Sequence, residues 1–346
     1  MLAEQSSPPT KTNLLRPATI IRLSLGLLLS GLTLWFITRN LDLQTLLTSL
    51  AQARWFPITL GLVVILLTTI AKSWRWQLMF YPPTTKTPSP RAFFAALTLG
   101  QFVNLVVPFL RLGEITRLYA LHPPQSKPRT LSTLVIEKTL DIAILGLTVL
   151  LVLPFVILPD IINNQRIATI TILALVLLTT LYILAYQTTL IAKLINHLAS
   201  YLPHAIAHRL QHLANAGLAG LTPLRHHGLS LTIVILSAII GLLSILTPLV
   251  LFPAFNLPFG WTEAALIHLA VTVGSVPPST PGKIGVFEWF TVITLQSFAP
   301  LDNSLLVSYA LVFHLVVIIP QLIFGFWAAI TIQSPLKLTT LWSKNQ

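Results

Sequence analysis

The chain has no cysteine. Disulfides, thiolate nucleophiles, Cys-ligated zinc and iron–sulfur clusters are therefore excluded. Charge is scarce too. Only 9% of the 346 residues are Asp, Glu, Lys or Arg, against about 25% in soluble domains. With 54% hydrophobic residues and a mean hydropathy of +0.81, the chain lacks the polar surface that water requires, and lipid is the solvent that suits it. The G-x-x-x-x-G-K-[ST] loop of ATP-driven motors is missing, and Gly282-Lys283-Ile284-Gly285 does not supply it. No G-x-S-x-G elbow offers a serine nucleophile. No cofactor is expected.

Twenty-one Lys and Arg outnumber nine Asp and Glu, a net charge of +12. The basic residues are spread out, without the dense runs or aromatic interleaving of a nucleic-acid surface, so no nucleic-acid partner is expected. In a membrane protein such an excess holds loops at the anionic cytoplasmic leaflet.

A span needs about 20 mainly apolar residues. Ala18–Thr38 is the first, too long for the core of a cleaved signal peptide. Trp55–Phe80 follows and ends in Lys72, Trp74, Arg75 and Trp76, which read as an interfacial belt. Leu131–Leu158, Ile167–Tyr186, Leu229–Phe252 and a segment within Asn303–Gln333 complete about six spans. Between Gln187 and His227, His204, His208 and His212 recur at helical spacing without acidic neighbours, which suits an interfacial amphipathic helix better than a metal site. The organisation expected is a cytoplasmic tail 1–17, a transmembrane domain 18–332 and a cytoplasmic tail 333–346.

Two segments break the pattern. Arg91–Leu121 has an apolar stretch interrupted by Asn104 and Pro108, then the charged Arg111–Arg117. Trp261–Pro300 is interrupted by Val276–Glu288, with prolines and glycines that cannot continue a helix. With both ends of the chain in the cytoplasm, Lys11, Arg16, Lys86, Arg91, Lys127, Arg129, Lys193, Arg209, Arg225, Lys337 and Lys344 fall inside, and only Arg39, Arg54 and Arg166 fall outside. That count requires both broken segments to return to the face they entered from. The fold class predicted is all-α, a polytopic transmembrane bundle of about six spans plus two oppositely oriented re-entrant hairpins, arranged like an inverted repeat.

The breaks carry the chemistry. The first holds Asn104, Pro108, Arg111, Gly113, Glu114 and Arg117; the second holds Pro277, Pro278, Pro281, Gly282, Lys283, Gly285 and Glu288. Broken helices free backbone groups, and helix N-termini favour anions. An ionised side chain at mid-bilayer costs about 2.5–3.5 kcal/mol on insertion scales, so such residues pair or line a cavity. Glu137 and Asp141 share a helix face, with Arg111, Arg117 or Lys138 as candidate partners. Interhelical salt bridges and a polar pathway are both consistent with these residues.

The order N-x3-P-x2-R-x-G-E-x2-R, E-[KR]-x2-D, then P-x2-P-G-x-I-G-x2-E resembles the flippase-like membrane family, the transmembrane region of lysylphosphatidylglycerol synthases. The matches are Asn104, Pro108, Arg111, Gly113, Glu114 and Arg117; Glu137, Lys138 and Asp141; and Pro278, Pro281, Gly282, Ile284, Gly285 and Glu288. Lys138 stands where the family often has arginine. The resemblance runs from about residue 18 to 332 and implies movement of a lipid or lipid-linked headgroup between leaflets. It implies membrane lipids with phosphate headgroups as partners. Aminoacylating members carry a large soluble domain after the membrane region; here the longest polar stretch is below domain size, so lysyl-lipid synthesis by this chain alone is not expected. Arg111, Arg117 and Lys283 would receive an anionic headgroup, with Glu114, Glu137, Asp141 and Glu288 positioning them or receiving a cationic headgroup. The expected location is the plasma (inner) membrane. The alternatives are a membrane-embedded transferase acting on lipid-linked sugars, and a non-transporting partner of a lipid-modifying enzyme.

Overall fold

The computed structural model describes residues 42–83, 87–107, 112–121, 127–152, 226–276 and 280–332, together with positions 28, 31–33, 35, 172, 197 and 201. Every regular element among the described residues is helical. The expected spans Ala18–Thr38 and Ile167–Tyr186, the histidine segment, both tails, Pro108, Arg111, Pro277 and Pro278 lie outside the described residues, apart from those isolated positions.

Helix α1 (Leu43–Gln52) starts at Asp42, whose carboxylate accepts from the Gln44 N–H at 2.9 Å and the Thr45 hydroxyl at 2.6 Å. These two donors hold the Asp42 carboxyl below its usual range. Helix α2 (Trp55–Leu78) is a full apolar span. Helix α3 (Pro90–Val106) has Ser89 as its cap and Pro90 at its first position, where a missing N–H costs nothing. It stops because Val107 precedes a proline and leaves the helical region, at φ −127° and ψ 74°. Helix α4 (Leu112–Ala120) follows. Helix α5 (Lys127–Val152) is long, and helix α6 (His227–Leu251) tightens at Pro248 into a 3₁₀ turn, Phe252–Phe255. Helix α7 (Trp261–Gly274) is separated from helix α8 (Val286–Gln296) by a 3₁₀ turn, Pro281–Lys283. Helix α9 (Asn303–Thr331) closes the bundle, capped by Asp302 on the Leu305 N–H at 3.0 Å.

Among the described residues, three helices are long and apolar enough to cross a bilayer: Trp55–Leu78, Gly228–Phe255 and Asn303–Thr331. Helix α5 has the length but carries Lys127, Arg129, Glu137, Lys138 and Asp141.

Two hydrophobic clusters mark the two ends of the bundle. One joins Trp76 and Phe80 of α2, Leu134 of α5, Ile233 of α6 and Ala328 of α9. The other joins Leu251 of α6, Ala264 of α7, and Leu306 and Tyr309 of α9. Helices α3 and α4 form a hairpin rooted at the first end, because Phe93 near the start of α3 and Ala120 at the end of α4 share that cluster. Helices α7 and α8 form a hairpin rooted at the opposite end, because Ala264 and Leu295 share the other. The arms are short: 17 and 9 residues in the first hairpin, 14 and 11 in the second. At the helical rise these are about 26, 14, 21 and 17 Å, below the roughly 30 Å of a hydrocarbon core. The 3₁₀ turn of the second hairpin packs against α3, so the two hairpins meet inside the bundle.

Glycine sets both hairpins. A Cβ on Gly100 would sit 2.8 Å from the Gly113 carbonyl oxygen and 2.7 Å from the Arg117 Cγ, so α3 and α4 cross backbone to backbone. In the other hairpin Gly282 and Gly285 hold φ of 70° and 89°, which an L side chain resists.

Candidate functional site

Among the described residues, three acid–base pairs form across α2, α4 and α5. The Arg117 guanidinium forks onto Glu137, with Nη1 donating to Oε1 at 3.0 Å and Nη2 to Oε2 at 2.7 Å. Both side chains are buried. The Arg117 Cζ lies 4.0 Å over the Trp76 ring, and the Trp76 indole N–H donates to the Thr133 hydroxyl at 3.0 Å. A charge taken this far from water is tolerable only with such a partner set. Arg117 is therefore committed to the protein.

Arg75 reaches Asp141 at 2.7 Å through Nη2 and the Ser237 hydroxyl at 3.0 Å through Nη1, tying α2, α5 and α6 together. The pair is asymmetric: Arg75 is 1% exposed and the Asp141 side chain 36%. The third pair, Lys138 with Glu114, is loose at 3.8 Å and open, with 48% and 26% exposure. Glu114 also accepts from the Asn104 amide at 3.1 Å, and the Asn104 carbonyl accepts the Gly113 N–H at 2.8 Å. Asn104 thus bridges the ends of α3 and α4 across the break. On the inner face of α2, Lys72 stands three residues before Arg75.

The second break is built differently. Pro281 and Gly282 make the turn, and Gly285 precedes α8. Glu288, third residue of α8, turns back to accept the Gly285 N–H at 2.7 Å. Its other oxygen lies 2.6 Å from the His314 Nδ1 of α9. The His314 ring stacks on Phe287, with centroids 4.2 Å apart and planes 5° apart. Glu288 and His314 are both buried. Lys283 adopts φ 59°, uncommon for a side chain of that kind.

The residues singled out in the sequence therefore form two groups. Asn104, Gly113, Glu114, Arg117, Glu137, Lys138 and Asp141 lie on α3, α4 and α5 in three separate contacts, Asn104–Glu114–Lys138, Arg117–Glu137 and Asp141–Arg75. Pro281, Gly282, Lys283, Gly285 and Glu288 belong to the other hairpin. Of the partners expected for the α5 carboxylates, Arg117 takes Glu137, whereas Asp141 takes Arg75.

Arg75 and Trp76 are not the interfacial belt expected from the sequence; they are 1% and 0% exposed, and of that group only Trp74 projects outward, at 53%. Tryptophan and arginine compose an interface and a buried cation–π contact equally well, and the tertiary fold decides between them. The site also includes residues that the sequence reading passed over: Lys72 as a charged neighbour, Thr133, Ser237 and, in the second hairpin, His314. The signal for Lys72, Arg75 and Trp76 is their shared helix face, at spacings of three and four. The signal for His314 is a lone polar residue inside an apolar span.

No group of three or more His, Asp or Glu among the described residues is arranged to hold a metal ion. No curated protein and no solved structure matches the chain. The family described as the lysylphosphatidylglycerol synthase TM region matches residues 23–325. Apolar spans and that match together establish an integral membrane protein with a lipid-related role, and the chain belongs to the family of the lysylphosphatidylglycerol synthase transmembrane region.

Proposed function

We propose that this protein moves a phosphate-bearing lipid, or a lipid-linked headgroup, between the leaflets of the plasma (inner) membrane, and is not itself an enzyme. The observation that carries the reading is where the loose pair opens. On α5 the exposed residues Leu131, Val135 and Ile142 make a stripe at helical spacing, and Lys138 lies on that stripe. A charge on a lipid-facing stripe is costly unless a headgroup or water meets it. From Lys138 and Glu114 the polar groups continue inward to Asp141, then to the sealed pairs. A headgroup entering sideways between α4 and α5 would meet these charges in that order while its acyl chains stayed in lipid.

The hairpins fit the same reading. Their short arms and opposite roots suit two re-entrant elements entering from opposite faces, with about six spans around them and both termini in the cytoplasm. A polar break between such elements is tolerable at membrane depth because protein surrounds it.

The test is flux of fluorescent phospholipids and a short-chain polyprenyl phosphate in liposomes holding the purified protein. Glu114→Gln removes the carboxylate that faces Lys138 and should lower flux about tenfold, with insertion intact. An Arg111→Ala variant should do the same. Undiminished flux in both would sink the reading.

A further inference from the structure

In the charged cluster of α2, α4 and α5, four cations face three carboxylates. Arg75 takes Asp141, Arg117 takes Glu137 and Lys138 takes Glu114. Lys72 is left over. It makes no hydrogen bond or ion pair with any described residue, and its side chain is half-buried on the inner face of α2. That face is otherwise sealed, with Thr68, Arg75 and Trp76 buried around it. The opposite face of α2 carries the exposed apolar stripe Leu60, Val63, Leu67, Ile70 and Trp74, so Lys72 faces away from it into the bundle.

We infer that Lys72 is the inner anchor for the ligand's phosphate, one monoanion completing the fourth pair. This deepens the transport reading and rests on it, by naming the residue and the charge that select the headgroup. It also shifts the role once expected of Arg117, whose fork is already taken by Glu137.

The geometry favours a lipid as the source of that phosphate. Asp141, held at 2.7 Å by Arg75 one turn along α2 from Lys72, is 36% exposed although Arg75 itself is 1% exposed. The way in therefore passes Asp141, and Asp141 lies one turn from Lys138 and its apolar stripe on α5. A ligand reaching Lys72 by that path crosses a surface of Val135 and Ile142, which suits acyl chains and offers nothing to a hydrated ion. An ammonium is a point charge that can follow a phosphate through several orientations, as a headgroup changing leaflets requires.

The experiment uses full-length protein in neutral detergent, titrated with dihexanoyl phosphatidylglycerol, dihexanoylglycerol or inorganic phosphate, with binding read by thermal shift. The phospholipid should stabilise the protein and the uncharged dihexanoylglycerol should not. Lys72→Met should weaken the phospholipid about tenfold or more, the worth of one charge-assisted hydrogen bond, and Lys72→Arg should restore most of it. The ligand-free melting temperature of Lys72→Met should stay level or rise, because the variant removes a half-buried charge that no ion pair among the described residues satisfies. Undiminished affinity in Lys72→Met overturns the inference. So does a melting temperature that falls as far as that of Arg117→Met, which would make Lys72 structural. Inorganic phosphate binding as tightly as the phospholipid overturns the lipid source. Because binding is read at equilibrium, protein that binds phospholipid through Lys72 but carries no flux would defeat the transport reading alone.

Discussion

The two hairpins place a glutamate at the same point and use it in opposite ways. Glu114 is the third residue of α4 and Glu288 the third residue of α8. Each begins the returning arm of its hairpin, where a helix N-terminus favours a carboxylate. Glu288 spends its two oxygens inside the protein, on the Gly285 N–H and on His314, with Phe287 stacked over the imidazole. Glu114 takes an amide from Asn104 and leaves a side open to Lys138 at 3.8 Å. One hairpin is closed by its glutamate; the other is held by glycine contact and an asparagine, and its glutamate stays available. The comparison teaches that a shared motif position does not imply a shared role, and that unused bonding capacity separates a working carboxylate from a structural one.

The largest effect expected tests what holds the first hairpin to α5. Arg117→Met leaves Glu137 charged and buried without its partner, a change worth about 3–5 kcal/mol in stability. Thermal unfolding in detergent should show little folded protein. Replacing both residues, Arg117→Met with Glu137→Leu, should recover most of the loss, since apolar groups of similar volume can fill the site. If Arg117→Met alone unfolds like the unaltered protein, the fork is not structural and Arg117 returns to the candidates for the headgroup.

A smaller effect belongs to the glycine crossing. A Cβ on Gly113 would collide with the Gly100 carbonyl and the Asn104 side chain. Backbone cannot move aside as a flexible side chain can, so Gly113→Ala should cost about 1–3 kcal/mol. It should also loosen the Asn104 bridge and lower flux. Gly228, with nothing within 4 Å of its Cβ position, is the control: Gly228→Ala should leave stability level or slightly raised.

The glutamate comparison itself is sharpened by one paired substitution. Glu288→Gln keeps an oxygen for the Gly285 N–H but loses the charge that holds His314, and should lower stability by about 1–2 kcal/mol with flux nearly intact in the folded protein. Glu114→Gln should do the reverse, lowering flux while the melting temperature barely moves. Measured side by side, equal losses of flux in the two variants would erase the distinction drawn between the hairpins.

Much of this architecture was legible in the sequence, for reasons that differ by element. The limits of α3 and α4 follow from Pro108, which the residue before it must accommodate, and those of α7 and α8 follow from Pro281, Gly282 and Gly285, which no helix tolerates in succession. That Glu137 needs a cationic partner was legible because a carboxylate is too costly to bury alone, but Arg111, Arg117 and Lys138 all qualified, and only the α4–α5 packing chooses Arg117. Lys72, Arg75 and Trp76 could not be placed, since their composition fits an interface as well as a core. What buries Arg75 is Asp141, 66 residues away, and a contact at that separation is set by how α2 and α5 pack. His314 stands out in the sequence as a lone polar residue in an apolar span, but its partner does not: only the α8–α9 packing brings it to Glu288.

The smallest effect concerns Lys138, which stands where the family often has arginine. A guanidinium carries a planar fork that fits a carboxylate with two parallel bonds, whereas an ammonium meets it as a point. Lys138→Arg should therefore draw the 3.8 Å pair with Glu114 into closer contact. The stability change should stay under about 0.5 kcal/mol, because an exposed pair is screened and gains little. Its consequence should appear in flux, slowed by about two- to threefold, because a tighter Lys138-position pair must open before a headgroup can pass. Faster flux in Lys138→Arg would mean that the fork binds the headgroup better than it binds Glu114, and the pair would then be a receptor for the lipid rather than a gate in front of Lys72.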